Sequence, residues 1–283
     1  MKTENMKSKL LFFDVDGTLV AFDGRIPEST ISALKEAQAN GHKTFICTGR
    51  SRNQIPGLLL DMAFDGIVGA TGGYGEYRGE TIFHNIFGRE NVSAVVDLIR
   101  GNGTAVILQR RDDVVTTDFF VRQFNEDNPV FARAGSMTHV DAFKYMKIDN
   151  DLELWPERYP DTESLIYCRC PYVIEEVRSR LPLEIRVAPA CYKSPEPHAG
   201  EFTLERSNKG TGIRTMLDHL GCSREDVIAF GDGANDLEML DLAGTAVVMG
   251  NAPETVKAHG DLITESLEKD GLAKAMKRLG LIG

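Results

Sequence analysis

LLFFDVDGTLV, Leu10–Val20, sets four apolar residues directly against two aspartates one residue apart, followed by Gly-Thr. A run apolar throughout reads as a strand covered on both faces, since a half-exposed strand would alternate. Burying carboxylates at its end is costly unless a metal, hydrogen bonds or a cation compensates. The stretch therefore predicts a partner for Asp14 and Asp16.

Four similar runs follow: TFIC (44–47), GIVGA (66–70), VIAFGD (227–232) and TAVVMG (245–250). They alternate with helical patterns, which indicates an α/β fold built on a parallel sheet with helices on both faces. One helix begins near Pro27, keeps Ile31, Leu34 and Ala37 on one side and stops at Gly41. Another starts near Ser207, with Ile213, Met216, Leu217 and Leu220 together and Gly221 after it. The middle of the chain differs. Helical patterns at 90–100 and 172–181 sit among strand-like TAVILQ (104–109), SLIYCR (164–169) and LEIRVA (183–188). This predicts an α+β unit, 87–198, inserted into a core formed by 1–86 and 199–283, with hinges at Gly88 and in KSPEPHAG (193–200).

The 283 residues, 42% hydrophobic and 26% charged, suit a globular protein of about two domains. A net charge of −10 argues against a broad nucleic-acid surface. It leaves room for a small anionic substrate if a metal or local cations reverse the field. Asp14 interrupts the first apolar run well short of a leader sequence, and no run reaches the ~20 residues of a membrane span. The expectation is a cytoplasmic protein, without nucleic-acid or membrane partner, monomeric or weakly homo-oligomeric. Five cysteines lack zinc spacing and read as reduced thiols; Cys168 and Cys170, two apart, are expected to share one strand face as packing residues.

In open parallel sheets, ligands bind beyond the carboxyl ends of the strands. Asp14 and Asp16 follow the first run, Thr48, Gly49 and Arg50 the second, and Asp232, Asn235 and Asp236 the fourth. Asp14, Asp16, Asp232 and Asp236 form an oxygen-only set that suits a hard ion, Mg²⁺ above all. An aspartate kept ionised by the metal can attack phosphorus and become an aspartyl-phosphate. The second aspartate can protonate the leaving oxygen and later activate water. Thr48, the backbone N–H groups of the Gly49 turn and Lys209 at a helix start can hold the phosphoryl oxygens.

DVDGT, CTGR, NKG and GDGANDLEML, in this order, resemble the four motifs of the haloacid dehalogenase-like phosphatases. VVMGNAPETVKAHGDLIT and DGLAKAM resemble the Cof-type sugar-phosphatase branch, with its cap inserted between the second and third motifs. The resemblance covers essentially the whole chain. It implies a Rossmann-like core with an α+β cap, Asp14 as nucleophile, and Asp16 as acid/base with its carbonyl on Mg²⁺. Thr48 and Lys209 would hold the phosphoryl group, Asp232 the metal, and Asn235 and Asp236 would support the site. The branch often carries Asn-Gly where this chain has Thr71-Gly72, and TLERSN before Lys209 matches only loosely.

Alternatives stay open at this level. Arg50 suits a phosphate contact or a salt bridge, and Asp236 suits a ligand or a supporting group. His84 and His198 are candidates to touch substrate, and Trp155 a substrate platform or a packing residue. The activity could be hydrolysis of small phosphorylated metabolites such as sugar phosphates, or phosphoryl transfer to an acceptor. A non-catalytic sensor would be expected to lose Asp14 or Asp16.

Overall fold

The structure, a computed structural model, describes residues 8–21, 23–127, 146–189 and 198–283. Its strands, in chain order, are β1 (Leu10–Phe13), β2 (Lys43–Cys47), β3 (Gly66–Gly69), β4 (Tyr74–Tyr77), β5 (Glu80–His84), β6 (Ala105–Gln109) and β7 (Val114–Thr116). They continue with β8 (Met146–Ile148), β9 (Ser164–Cys168), β10 (Ile185–Pro189), β11 (Gly200–Leu204), β12 (Val227–Gly231), β13 (Thr245–Val248) and β14 (Leu262–Ile263). The longer helices are α1 (Glu28–Ala39), α2 (Gly88–Ile99), α3 (Asp118–Asp127), α4 (Ile174–Ser179), α5 (Lys209–Leu220), α6 (Leu237–Leu242) and α7 (Gly271–Arg278).

An eight-stranded sheet runs β14-β13-β12-β1-β2-β3-β4-β5. Its strands from β14 to β3 are parallel, and β4 and β5 form an antiparallel edge. β1 lies at the centre, and its residues serve two cores. Leu11 and Phe13 face α1 and α7 through Leu34, Leu272 and Met276, while Leu10 and Phe12 face α5 and α6 through Ile213, Met216 and Leu240. Phe12 stacks on Phe45 and Phe13 on Phe230, tying β1 to both neighbours. That two-sided burial is why LLFF shows no alternation.

A second sheet, β10-β11-β9-β6-β7-β8, packs α2 on one face through Val92, Val95 and Val96. Phe120 of α3 lies on the other. β11 belongs to this smaller sheet, paired with β9 and β10, so the chain returns to the larger sheet after Leu204 rather than at 199. The reason is register: Glu201, Phe202 and Thr203 complete the ladder between β9 and β10. Most of the KSPEPHAG stretch, and Cys191, lie outside the described residues.

Cys168 and Cys170 do not share a face. Arg169 takes a left-handed φ of 58°, which ends the strand alternation, and Cys170 packs with α2 while Cys168 lies on the α3 side. Among the described residues no helix is long and apolar enough to cross a membrane.

Candidate active site

β12, β1 and β2 are adjacent and parallel, so Asp232, Asp14 and Thr48 all leave the same edge of the sheet. Asp14, Asp232 and Asp236 are buried, and one carboxylate oxygen from each lies within 4.8 Å of the others. Lys209 is fully buried between two of them, its Nζ donating to Asp14 Oδ1 and Asp236 Oδ1 at 2.5 Å each.

Lys209 opens α5. A cation at a helix N-terminus opposes the helix dipole, and the two carboxylates compensate. Asn208 caps the helix by accepting from the Thr211 amide. Burial works against the ammonium charge, but Asp14 and Asp236 outweigh it and hold the Lys209 pKa well above its ordinary value. Burial, reinforced by Asp236 and opposed by Lys209, raises the Asp14 carboxyl well above the usual carboxylate range. Burial and Asp236 push Asp232 up to about 7. Carboxylates so reluctant to ionise together are an arrangement that a hard cation would relieve.

The individual oxygens separate the roles. Asp14 Oδ2 has no hydrogen-bond partner among the described residues, Oδ1 being taken by Lys209. Asp232 Oδ1 accepts from Thr18 at 3.1 Å and Oδ2 from Asn251 Nδ2 at 2.8 Å. Gly17 passes close by with φ of 91°, and a Cβ there would overlap the Asp232 carboxylate. Asp236, expected among the metal ligands, has both oxygens engaged: Oδ1 by Lys209, Oδ2 by the amides of Asp232 and Gly233. It shapes the loop that presents Asp232.

Thr48 is buried, its hydroxyl accepting from the Arg50 amide at 3.2 Å. A Cβ on Gly49 would stand 3.3 Å from Thr71 Oγ1 and 3.6 Å from Asn235 Nδ2, which places Asn235 beside the Gly49 turn. Arg50 forms the salt bridge rather than standing apart: Nε and Nη2 reach Asp16 Oδ2 and Oδ1 at 2.8 and 2.7 Å. The Asp16 side chain remains 40% exposed.

Other candidates fall elsewhere. His84 Nε2 lies 2.8 Å from Glu163 Oε1, where the two sheets meet. His198 bonds the Cys170 carbonyl. Trp155 is fully buried in the α2 core, donating to the Asp149 carbonyl, and is a packing residue. Asn251, Thr18 and Glu201 were not singled out by sequence, and Thr71 only as a departure from the branch's Asn-Gly; Asn251 lies in the quoted VVMGNAPETVKAHGDLIT segment, but nothing local shows that it reaches Asp232.

A family model for haloacid dehalogenase-like hydrolases matches residues 11–276. The chain belongs to that family. It is 29% identical to the phosphatase-named YkrA of Bacillus subtilis, over 98% of this chain and all of YkrA. Against two further curated relatives it spans about half their length, 56% and 46%. Among solved structures, the subclass IIB sugar phosphatase BT4131 superposes with a TM-score of 0.78 at 30% identity, covering 97% of this chain and 100% of that one. BT1666 of Bacteroides thetaiotaomicron gives 0.78 at 26%, covering 100% and 98%. With these relatives, the protein is a haloacid dehalogenase-like phosphatase of the Cof type.

Proposed function

We propose that this protein is a Mg²⁺-dependent phosphomonoester hydrolase acting on small phosphorylated metabolites, sugar phosphates foremost, through an aspartyl-phosphate on Asp14. The observation that carries this reading is the Asp14 carboxylate, held through Oδ1 by Lys209 with Oδ2 left open. Oδ2 forms the bond to phosphorus while the bond to the alcohol oxygen breaks. Asp16, steadied by Arg50, gives that oxygen its proton. Asp16 then takes a proton from water as the water oxygen attacks the aspartyl-phosphate, releasing phosphate and restoring Asp14. Thr48, the Gly49 turn, Asn235 and Lys209 hold the phosphoryl oxygens. Asp14, the Asp16 carbonyl and Asp232 would hold Mg²⁺, which would supply the positive charge that keeps Asp14 ionised and neutralises the phosphoryl group.

The smaller sheet, with α2 and α3, acts as the cap over the leaving group, the enzyme working in the cytoplasm without a nucleic-acid or membrane partner. The reading is supported by the sugar phosphatase named among the structural relatives. The experiment is hydrolysis of a panel of sugar phosphates with Mg²⁺ and with EDTA, coupled to acid quenching and mass measurement. A phosphate adduct that maps to Asp14 is expected. Full turnover in EDTA, or an adduct elsewhere, overturns the reading.

A further inference from the structure

Asp16 is positioned by more than the larger sheet. Arg50 holds both of its carboxylate oxygens, and the remaining amino group, Nη1, donates to the Gln54 carbonyl at 2.9 Å. Gln54 ends a single turn in which its Oε1 accepts from the amide and hydroxyl of Ser51, at 3.1 and 2.9 Å. The same Oε1 accepts from Gln109 Nε2 at 2.6 Å, and Gln109 is on β6 of the smaller sheet. Gln109 Oε1 in turn accepts from Ser164 on β9 at 2.6 Å. Beside it, Asn53 donates from its amide to the Arg111 carbonyl and from its side chain to the Arg110 carbonyl.

Gln54, Gln109 and Ser164 are 5%, 3% and 0% exposed. Buried amides left without partners cost about 1–3 kcal/mol each, and Gln109 Nε2 has its acceptor only while β6 sits on the 51–54 turn. Gln54 Oε1 keeps its two bonds from Ser51 in either case, so this one bond is what ties the buried amides across the sheets.

We infer that Gln54 and Gln109 are positioning residues that make the alignment of Asp16 depend on the seating of the cap. With β6 seated, the turn offers its carbonyl to Arg50, and Arg50 directs the carboxyl of Asp16 at the leaving oxygen. With β6 displaced, the turn keeps its Ser51 bonds but loses its tie to the cap, so the Gln54 carbonyl that anchors Arg50 is held less firmly and protonation of the leaving group is impaired before the nucleophile is touched. The inference rests on the reading of Asp16 as acid/base.

A leaving-group comparison tests it. An alkoxide needs the proton from Asp16 in order to depart, whereas p-nitrophenolate departs without one. kcat/KM reports steps up to formation of the phospho-enzyme, so its ratio between p-nitrophenyl phosphate and glucose 6-phosphate isolates that proton. Gln54→Leu and Gln109→Leu should each raise the ratio at least fivefold, and the double variant less than additively, because they share the Gln54–Gln109 bond while Gln54→Leu also removes two bonds from Ser51 and Gln109→Leu one from Ser164. Asp16→Asn should raise it most. Ser164→Ala, which strips only the outermost bond, gives the same reading with less risk to folding. If Asp16→Asn raises the ratio and the glutamine and serine variants do not, the bonds only dock the sheets and the inference is overturned. If Asp16→Asn leaves the ratio unchanged, the acid/base role fails and the inference with it.

Discussion

Thr71, after β3 of the larger sheet, donates its hydroxyl to Glu201 on β11 of the smaller one at 3.0 Å. Thr71 does so from a left-handed backbone, φ 51°, a conformation unusual for a β-branched residue. Burial pushes the Glu201 carboxyl up to about 7 from 4.5, with Thr71, Lys209 and Arg186 opposing. An acid whose folded pKa is raised favours folding fully below the unfolded value of 4.5, and that contribution is lost as pH rises through 7. Glu201→Gln keeps the shape and the bond to Thr71 without the charge. It should be more stable than wild type at pH 8, by up to about 3 kcal/mol, with a much smaller gain at pH 5. Urea midpoints at the two pH values decide it, and an equal gain at both would mean that Glu201 does not ionise in this range.

Gly17→Ala should damage the proposed metal site through shape alone. The left-handed φ costs about 1 kcal/mol for an alanine, and the added Cβ must displace the Asp232 carboxylate from its bonds to Thr18 and Asn251. Calorimetric titration should show weaker Mg²⁺ binding in a folded protein. Unchanged affinity would show that Asp232 can hold the ion from another position.

Asp14→Asn removes the proposed nucleophile and one of the clustered charges. Turnover should fall by roughly a thousandfold or more, with no loss of thermal stability, because the ionised carboxylate is disfavoured where it stands. Lys209→Met leaves Asp14 and Asp236 without their cation, which should cost about 3–5 kcal/mol at neutral pH. Combining the two changes should recover part of that loss, as contacting groups are non-additive. Strict additivity in chemical denaturation would deny the coupling.

The two loop aspartates should separate by readout. Mg²⁺ should raise the melting temperature of wild type and Asp232→Ala should abolish that rise, and excess Ca²⁺ should inhibit because its looser coordination would misplace Asp14 and phosphate. Asp236→Ala frees the amides of Asp232 and Gly233 and leaves Lys209 with Asp14 as its one carboxylate partner. Its loss should therefore appear in metal-free stability as well as in affinity. A variant whose metal-free stability matches wild type would return Asp236 to the role of a simple ligand.

The readable parts of the chain were those whose chemistry is local. LLFF declares a two-sided strand because both its neighbours and both helix layers are apolar, and the polar residues after successive strands must meet when the strands are parallel neighbours. What escaped depends on partners far along the chain. Asn251 is recognisable only by its bond to Asp232 and Gly17, and Gln54 only by its bond to Gln109. Glu201 escaped because a lone glutamate in GEFTL looks like the exposed side of an edge strand, whereas β11 lies between β9 and β10 and Glu201 is buried against Thr71, far away in sequence. The expectation for Cys168 and Cys170 failed on one backbone angle at Arg169, a left-handed turn that no preference of arginine signals.

β11 ends at Leu204 and α5 begins at Lys209, so only Glu205, Arg206, Ser207 and Asn208 separate the inserted unit from the lysine that holds Asp14. That return is pinned, since Gly72 passes so close to the Asn208 backbone that a methyl group would collide with it. The outgoing crossing is just as short, Asn85 to Phe87 between β5 and α2. Exchange of this unit between relatives, by recombination or in the laboratory, thus has a natural cassette running from Gly88 to Leu204. An incoming cassette succeeds only if its last strand delivers the chain at the height and angle of β11; one that misses by a residue would rotate Lys209 off its carboxylates. Freedom to diversify substrates is in this way confined to replacements that preserve a single exit strand.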